Sequence, residues 1–581
     1  MKSSTAPQLE VNEARRGFTW IDGVVMLALF TLLWSALHFG KGMLVRFDAA
    51  ALPQLDGAVS QIPYYAGRTL LRMWIAFCFS LAFAVGTGYI AAKSLQARRF
   101  ILPALDVLQS VPVLGFLSAT VTAFMALFPG SLMGVECAAI FAIFTGQVWN
   151  MAFGFYHSMV TIPTDMQEAA TTYGLTPLQR FRTVELPASA HSLIWNSMMS
   201  FGGGWFFVAQ SEAISVMNKD IKLPGLGSYM AQAISRGDNN AALWAVVAMI
   251  ALILASDQLV WRPLLAWADK FKIELTESQT PATSWVYNLL RGAYVFTWFN
   301  DHVWQPAMDR MFRTTRRRAK RLKPLKLAGG QWLWRATVTL FTGWLAYEIL
   351  TGLVAAIAAL QGALTWSIFG HIVWLGLLTL LRVLAMTVLA TLIWTPVGVW
   401  IGFQPRVARF AQPLAQIGAS FPVNMTFPLV VGFFVAAHIT MNWGSILLIA
   451  MGTQWYILFN VIAGAMAIPN DLKEAATVYG LRRWNLWRTL ILPAIFPFWV
   501  TGACTAAGGA WNASIVAELA TWGNTTLKAD GLGAYIAMVT KSGDTPLIIA
   551  SIGVMSLFVV LMNKLVWRRL YAFAERRFRL D

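Results

Sequence analysis

Apolar runs of about twenty residues recur along the chain and constrain its fold more than any other feature. A helix needs roughly 20 predominantly apolar residues to cross about 30 Å of hydrocarbon. In the first half the runs are 20–39, 70–92, 107–128, 134–160, 189–210 and 241–264. In the second half they are 333–357, 372–402, 422–439, 444–466, 494–516 and 545–566. The sequence therefore predicts an all-α integral membrane protein with about twelve transmembrane helices.

Composition excludes the soluble and disordered classes. Hydrophobic residues make up 57% of the 581 residues and charged residues 12%, whereas a soluble domain is about 45–50% apolar and about 25% charged. Disordered chains are poor in apolar residues. The formal net charge is +17, which in a membrane protein fits an excess of Lys and Arg on the cytoplasmic side. We therefore expect contact with membrane lipid and no nucleic-acid partner.

The basic residues predict the topology. No A-x-A cleavage site follows the first apolar run, so the run is expected to remain as a first span. With the N-terminus inside, clusters such as Arg98 with Arg99 and Arg482 with Arg483 fall on the cytoplasmic side of a twelve-helix arrangement. The prediction is a multi-pass protein of the bacterial cytoplasmic (inner) membrane with both termini cytoplasmic.

Three domains follow from this map. Residues 1–264 form a first six-helix repeat, 265–332 a cytoplasmic basic linker, and 333–581 a second six-helix repeat. Segment 310–326 is rich in Arg and Lys and contains no acid, so it either contacts anionic lipid headgroups or is a solvated linker. Residues 285–304 are strongly aromatic, which favours a helix in the membrane interface.

An internal repeat joins the two halves. Residues 168–187 read EAATTYGLTPLQRFRTVELP and residues 474–493 read EAATVYGLRRWNLWRTLILP, at an offset of 306 (474 − 168). Glu212 and Glu518 align at the same offset. At an upstream offset of 310, Thr69-Leu70-Leu71-Arg72 aligns with Thr379-Leu380-Leu381-Arg382. Each unit holds six predicted spans, an even number, so both copies enter the membrane in the same orientation with room for a pathway between them.

Each repeated segment is predicted to form a helix, a glycine turn and a second helix. Thr164 to Gln167 matches a capping box, Gly174 suits a left-handed helix end, and Pro177 suits the first position of the second helix. Pro187 is expected to end that helix before the next span. The corresponding residues of the second copy are Asn470 or Asp471 as the cap, Gly480 and Pro493.

The spacing of these residues resembles the EAA motif of permease subunits in bacterial ABC importers. The first copy comprises Glu168, Ala169, Ala170, Gly174, Leu186 and Pro187. The second copy comprises Glu474, Ala475, Ala476, Gly480, Leu492 and Pro493. In that family the segment is the coupling helix, which docks in a cleft of the ATPase subunit. The resemblance implies a fused type I importer permease that works with two ATPase subunits.

Flanking residues resemble the nitrate, sulfonate, taurine and bicarbonate branch of that superfamily. They are Trp205, Gln210-Ser211-Glu212-Ala213 and Pro224-Gly225-Leu226-Gly227 in the first half, and Trp511-Asn512-Ala513-Ser514 and Gly531-Leu532-Gly533 in the second. The resemblance implies a small anion as substrate. A fused ferric-ion permease, which also has twelve spans, is the alternative within the importer class. An ion-coupled secondary transporter would need acidic or His residues deep in its spans, and an exporter or scaffold would not need paired EAA segments.

Missing motifs define the expected partners. The sequence has no G-x-x-x-x-G-K-[ST] phosphate loop, so the chain is expected not to be an enzyme. The resemblance implies that ATP and magnesium are held by partner ATPase subunits, and that a separate extracytoplasmic binding protein delivers the substrate. The three cysteines are far apart and the six histidines show no ligand spacing, so we expect neither a metal site nor catalytic residues.

Polar residues within the spans are candidates for the translocation pathway. Arg72 and Arg382 occupy equivalent positions near the outer ends of the second and eighth spans, where they would either attract an anion or extend to the headgroups. Equivalent stretches of the fifth and eleventh spans hold further candidates, which would line the pathway or pack between helices: Trp205, Gln210, Trp511, Asn512 and Ser514.

Overall fold

The computed structural model describes residues 18–46, 55–216, 219–271, 284–307, 364–522 and 525–577, with single positions between 310 and 360. Nearly all of the basic segment 310–326 and most of the predicted span 333–357 lie outside the described residues. The chain divides into two compact units. The first comprises Met1–His38, Ile162–His191 and Asp257–Thr339, and the second comprises Phe39–Thr161, Ser192–Ser256 and Leu340–Asp581.

The described chain up to residue 307 is mainly α-helical. Its helices are α1 (Trp20–Lys41), α2 (Ile62–Lys93), α3 (Leu95–Leu108), α4 (Leu117–Leu127), α5 (Met133–Val160), α6 (Thr164–Thr172), α7 (Pro177–Arg180), α8 (Leu186–Glu212), α9 (Leu226–Arg236), α10 (Asn239–Ser256), α11 (Arg262–Ala268), α12 (Trp285–Gly292) and α13 (Tyr294–Phe299). Strands β1 (Ala213–Val216) and β2 (Lys219–Lys222) form a hairpin. Single π-helical turns occupy Phe181–Glu185, Asp257–Trp261 and Asn300–Trp304.

The second half repeats this order. Its helices are α14 (Trp366–Gly402), α15 (Pro405–Ser420), α16 (Phe427–Ala436), α17 (Met441–Met466), α18 (Asn470–Val478), α19 (Arg483–Leu486), α20 (Leu492–Ala517), α21 (Leu532–Ser542), α22 (Thr545–Met562) and α23 (Arg568–Arg577). Strands β3 (Leu519–Trp522) and β4 (Thr525–Lys528) form a second hairpin. The π-helical turns are Trp487–Ile491 and Asn563–Trp567.

Element bounds recur at the offset found in the sequence. Helix α6 begins at Thr164 and α18 at Asn470, a difference of 306 (470 − 164). Helix α9 begins at Leu226 and α21 at Leu532, again a difference of 306 (532 − 226). The hairpins and the paired π turns keep the same spacing. The sequence repeat is therefore a repeat of structure.

Eight helices in the described part of the chain are long and apolar enough to cross a membrane. They coincide with eight of the predicted spans: 20–39, 70–92, 134–160, 241–264, 372–402, 444–466, 494–516 and 545–566. The predicted span 189–210 lies on the 27-residue helix α8, which is not among the eight. The total of twelve spans stays a prediction.

Two predicted spans, 107–128 and 422–439, are broken. The first is divided among the end of α3, a 3₁₀ turn that follows Pro112, and the 11-residue helix α4. At 1.5 Å per residue, α4 is about 16 Å long, roughly half of the hydrocarbon thickness. Pro422 precedes the equivalent turn in the second half. Proline lacks a backbone donor and disfavours a helical residue before it, and hydropathy does not register that effect.

The predicted glycine turns are present in both repeated segments. Gly174 has φ +65° and Gly480 has φ +66°, in the left-handed region that a residue with a Cβ adopts at a cost. The helices on either side are α6 and α7 in the first copy, and α18 and α19 in the second. The turns therefore need glycine at these two positions.

The predicted caps of the first helices are wrong. Pro163 and Pro469 occupy the N-cap positions of α6 and α18, without a side-chain cap. None of the predicted caps, Thr164, Asn470 and Asp471, therefore acts as one. Proline suits this position because its fixed φ fits the extended backbone there and because no backbone N–H is needed at the start of a helix. A capping box instead opens α7, where Thr176 Oγ1 accepts from the Gln179 backbone N–H at 3.4 Å.

Pro187 does not end a helix, contrary to the prediction. Helix α7 continues through the π turn Phe181–Glu185 into α8, and Pro187 is the second residue of α8. In the second copy, Pro493 lies at the equivalent start of α20 after the turn Trp487–Ile491. A π turn widens the backbone hydrogen-bond pattern, which accommodates a proline that cannot donate to the preceding turn.

Helices α17 and α20 of the second half pack closely against each other. A Cβ on Gly502 of α20 would lie 2.8 Å from the Tyr456 carbonyl oxygen of α17, so the two backbones approach directly. On the same helix, Ala503, Ala506 and Ala510 are buried. Small residues of this kind allow membrane helices to pack closely.

Candidate functional site

The two EAA segments present similar surfaces. Glu168 and Glu474 are exposed on α6 and α18. Tyr173 and Tyr479, the residues before the glycine turns, are 82% and 81% exposed. The two helices therefore expose an aromatic ring at equivalent positions.

The alanine pairs divide between the protein and its surface. Ala170 and Ala476 are buried against this chain, whereas Ala169 is exposed and Ala475 half-buried. Leu186 and Pro187, with Leu492 and Pro493, lie where the π turns join α8 and α20. Only part of each motif therefore faces outwards.

The first EAA segment carries a polar brace that the second lacks. Arg180 Nη2 donates to Gln167 Oε1 at 2.9 Å, and its guanidinium pairs with Glu185 at 2.8 Å. At an offset of 306, the residues equivalent to Arg180 and Glu185 are Leu486 and Ile491. The two segments thus share a shape and differ in what stiffens them.

A buried carboxylate clamp fastens the segment after α8 to α2. Glu212 Oε1 accepts from Thr69 Oγ1 and from Arg72 Nη1, both at 2.7 Å, and Glu212 Oε2 accepts from the Gly227 N–H at 2.7 Å. Thr69 Oγ1 in turn accepts from the Leu226 N–H at 3.0 Å. The start of α9 is therefore tied to α2 through charge-assisted hydrogen bonds.

The second half contains the equivalent clamp. Glu518 Oε1 accepts from Thr379 Oγ1 at 2.8 Å and from Arg382 Nη1 at 3.0 Å, and Glu518 Oε2 accepts from the Ala534 N–H at 3.2 Å. The Leu532 N–H donates to Thr379 Oγ1 at 2.8 Å. Burial raises the pKa of the Glu518 carboxyl, and Arg382 opposes that rise.

The G-L-G motifs make room for these carboxylates. A Cβ on Gly225 would collide with the Glu212 carboxylate, and a Cβ on Gly531 would collide with the Glu518 carboxylate and with Arg382. The two glutamates align at the offset of 306, but that alignment by itself indicates no role for them. Their alignment together with Thr69–Arg72 and Thr379–Arg382 was the signal that could have predicted the clamps.

The clamps are not identical. In the first half Glu136 also binds Arg68 Nη2 at 2.5 Å and Arg72 Nη2 at 2.8 Å. The four side chains, Arg68, Arg72, Glu136 and Glu212, are buried and carry balanced charge. In the second half the residues aligned with Arg68 and Glu136 are Leu378 and Asn442, and Arg382 Nη2 donates to Asn442 Oδ1 at 2.8 Å.

The two predicted pathway arginines are enclosed by the protein. Arg72 and Arg382 are buried, and their guanidiniums bind carboxylates of this chain. Neither arginine lines the cavity described next. Their nearest anions are the glutamates that hold α9 and α21.

A cavity of about 770 Å³ lies between the two halves within the second unit. Its wall includes aromatic rings and neutral amides, among them Trp149, Trp195, Asn150, Asn196, Asn460, Tyr456, Trp511 and Asn512. Gly203 and Gly508 also line it, and a Cβ on Gly508 would meet nothing within 4 Å. A cavity of this size and lining suits a small polar solute.

The structure brings two of the five other predicted pathway residues, Trp511 and Asn512, to the cavity wall. Trp205 is buried with its ring edge-on to Phe201 at 5.6 Å. Ser514 is buried and donates to the Trp511 carbonyl at 2.8 Å.

Gln210 joins the halves away from the cavity wall. Its Oε1 accepts from Asn424 Nδ2 at 3.1 Å, and Asn424 belongs to the second half. Gln210 therefore binds the opposite repeat directly.

One ion pair connects the halves at the cavity. Arg568 of α23 binds the Asp106 carboxylate of α3, and Asn563 Nδ2 donates to Asp106 Oδ1 at 3.3 Å. Asp106 and Arg568 are the charged residues among the described residues that line the cavity. The rest of the described wall is neutral.

Comparison with known proteins agrees with this architecture. The profile of binding-protein-dependent transport system inner membrane components matches residues 84–260 and again residues 394–580. Similar curated proteins include the nitrate import permease protein NrtB of Leptolyngbya laminosa, which is 28% identical over 188 residues, 32% of this chain and 64% of that protein. The bicarbonate transport system permease protein CmpB of Synechococcus elongatus is 29% identical over 147 residues, 25% of this chain and 51% of that protein.

A third relative is the taurine transport system permease protein TauC of Escherichia coli, which is 24% identical over 207 residues, 36% of this chain and 70% of that protein. The profile matches once in each half, where the repeated helices, hairpins and clamps also occur. The chain therefore belongs to the family of binding-protein-dependent transport system inner membrane components, as a fused permease with both copies in one polypeptide.

Proposed function

We propose that this chain forms the translocation pathway of an ABC importer between its two halves. The observation that carries the proposal is the cavity of about 770 Å³, which is lined by equivalent helices of both repeats. Its wall is rich in hydrogen-bonding amides and hydroxyls, which would replace water around a small solute.

The two EAA segments would transmit motion from ATPase subunits. Tyr173 and Tyr479 are exposed beside the left-handed turns at Gly174 and Gly480. Their side chains would give two partner subunits two similar contact sites. ATP would bind on those partners with magnesium, and its different affinity for the two conformations would bias the pathway. A separate binding protein would load the cavity from outside the membrane.

The proposed substrate is a small anion such as nitrate, a sulfonate, taurine or bicarbonate. The names of the relatives and the neutral donors around the cavity support this class, because anions bind well to amide and hydroxyl groups out of water. A ferric ion would instead favour carboxylate or other hard oxygen ligands. Asp106 is the acidic residue of the described wall, and Arg568 occupies it.

A filled cavity tests the pathway. Gly508→Leu would place a side chain into the open space without touching a neighbour at Cβ. Gly553→Leu is the matched control, because Gly553 is also helical and has nothing within 4 Å but does not line the cavity. We expect Gly508→Leu to abolish uptake of nitrate, bicarbonate and taurine by cells, with the complex still assembled, and Gly553→Leu to retain uptake.

Normal uptake by the Gly508→Leu variant would refute the pathway. Uptake that resists vanadate and follows the proton gradient would instead favour a secondary transporter. Uptake of a ferric complex, with none of the three anions transported, would support the ferric-ion alternative.

A further inference from the structure

Helix α13 and the π turn after it expose a series of large apolar side chains. Along α13 and the following π turn, five large apolar side chains are 42–48% exposed: Phe296, Trp298, Phe299, Val303 and Trp304. Phe296, Phe299 and Val303 are three and four residues apart, a spacing that places them on one side of a helix. We infer that residues 294–304 lie in the headgroup region of the bilayer, pinned to the N-terminal end of span α1.

Asp22 is the pin. It is the third residue of α1 and is buried. Its Oδ2 accepts from the Thr19 N–H at 2.7 Å and from Thr19 Oγ1 at 2.8 Å, while its Oδ1 accepts from the Val295 N–H at 2.8 Å. The carboxylate thus holds the start of α13 within one turn of the point where a membrane span begins. This contact fixes the depth of α13 at the edge of the hydrocarbon.

The apolar surface is continuous from the span to the linker. Helix α1 is exposed along most of its length, including Leu27, Phe30 and Leu33, as a helix against lipid would be. Phe18, just before α1, packs edge-on against Tyr294 with ring centroids 5.8 Å apart. Tyr and Trp rings favour the membrane–water boundary, where one end is apolar and the other hydrated.

The end of the segment contacts the protein. The Arg182 guanidinium lies 5.7 Å from the centroid of the Trp304 ring, in cation–π range. Arg182 belongs to the π turn that follows α7 in the first repeated segment. The interfacial segment therefore connects the bilayer edge with the first repeated segment. This inference requires only that the chain spans a membrane, so it stands apart from the importer proposal.

Lipid crosslinking of the full chain tests the placement. The chain is reconstituted in nanodiscs of phosphatidylethanolamine and phosphatidylglycerol that contain a phospholipid with a diazirine near the glycerol. Adducts are mapped by mass spectrometry. We expect adducts within 294–304 and on α1, and none on the EAA helix Thr164–Thr172. Absence of adducts on 294–304, while α1 is labelled, would overturn the inference.

The role of Asp22 is tested separately. Asp22→Asn loses the negative charge and one of the two carboxylate acceptors, so adducts on 294–304 should fall severalfold while those on α1 persist. Asp56→Asn is the matched control, because Asp56 is exposed and its carboxylate accepts a local hydrogen bond from the Ala58 N–H at 3.0 Å. Unchanged labelling of 294–304 in the Asp22→Asn variant would refute the role of Asp22 in holding α13 at the bilayer.

Discussion

The buried cluster around Glu136 yields the sharpest prediction, because the second half has the uncharged Leu378 and Asn442 at the positions of Arg68 and Glu136. Glu136 binds Arg68 and Arg72, and Glu212 is the other carboxylate of the cluster. Replacing Glu136 by Asn leaves two buried guanidiniums with one carboxylate. Replacing Arg68 by Leu as well restores the charge balance found at Leu378 and Asn442.

The magnitude follows from burial. All four charged groups have at most 1% exposure, so solvent screens them little. Removing one partner of a buried pair costs about 3–5 kcal/mol, which is roughly a 100- to 4,000-fold change in the folded-to-unfolded ratio. In the double variant, Arg72 keeps Glu212 and gains an amide partner, as Arg382 has. We expect the double variant to recover most of the loss.

The assay is equilibrium unfolding of the purified chain in mild detergent, titrated with sodium dodecyl sulfate and followed by circular dichroism. Wild type, Glu136→Asn, Arg68→Leu and the double variant form a double-mutant cycle. A coupling energy above about 2 kcal/mol is expected. A single Glu136→Asn variant as stable as wild type, or a double variant no more stable than either single, would refute the charge-balance argument.

Three further predictions concern the EAA segments and the cavity. Gly174→Leu and Gly480→Leu each force a left-handed residue, at about 1–2 kcal/mol, and should reduce co-purification of ATPase subunits; full co-purification with normal uptake would contradict the docking role. Reversing the charge at either Asp106 or Arg568 should change transport by up to about fivefold, because a partly exposed ion pair is worth about 0.2–1 kcal/mol. Exchanging the two residues should restore transport, and a double variant worse than both singles would argue against the contact. Thr176→Ala removes a cap worth about 0.5–2 kcal/mol and should speed hydrogen exchange in the next turn, and unchanged exchange would show that the cap is unimportant.

Much of the fold was accessible from local sequence. Eight predicted spans match helices because a run of apolar residues is itself the physical requirement for crossing hydrocarbon. Gly174 and Gly480 were predictable because a left-handed turn needs glycine. The breaks after Pro112 and Pro422 were missed, since hydropathy weighs side-chain polarity and not the lost backbone donor. The hairpins after α8 and α20 were missed because four-residue strands carry little pattern.

The site was less predictable, because its contacts join residues far apart in sequence. Arg72 was expected either to attract an anion or to extend to the headgroups, and its partner Glu136 is 64 residues away. Hydropathy and charge counts say nothing about such a distance. Trp511 and Asn512 line the cavity while Ser514 of the same helix does not, since neighbouring residues of one helix face different directions. Trp205 aligns with Trp511 at the offset of 306 but does not line the cavity.

One difference between the halves lies at the wall of the cavity. Asn196 of the first half lies against Gly154, since a Cβ on Gly154 would meet its amide. In the second half the residues aligned with Asn196 and Gly154, at an offset of 306, are Gly502 and Asn460, and a Cβ on Gly502 would lie 3.0 Å from the Asn460 Cβ. Each half therefore keeps one asparagine and one glycine at this helix contact but exchanges their helices. Both asparagines line the cavity, so the two walls present the same amide from different helices. A homodimer of one permease could not make that exchange, and the fused chain can therefore build an asymmetric cavity on a symmetric scaffold.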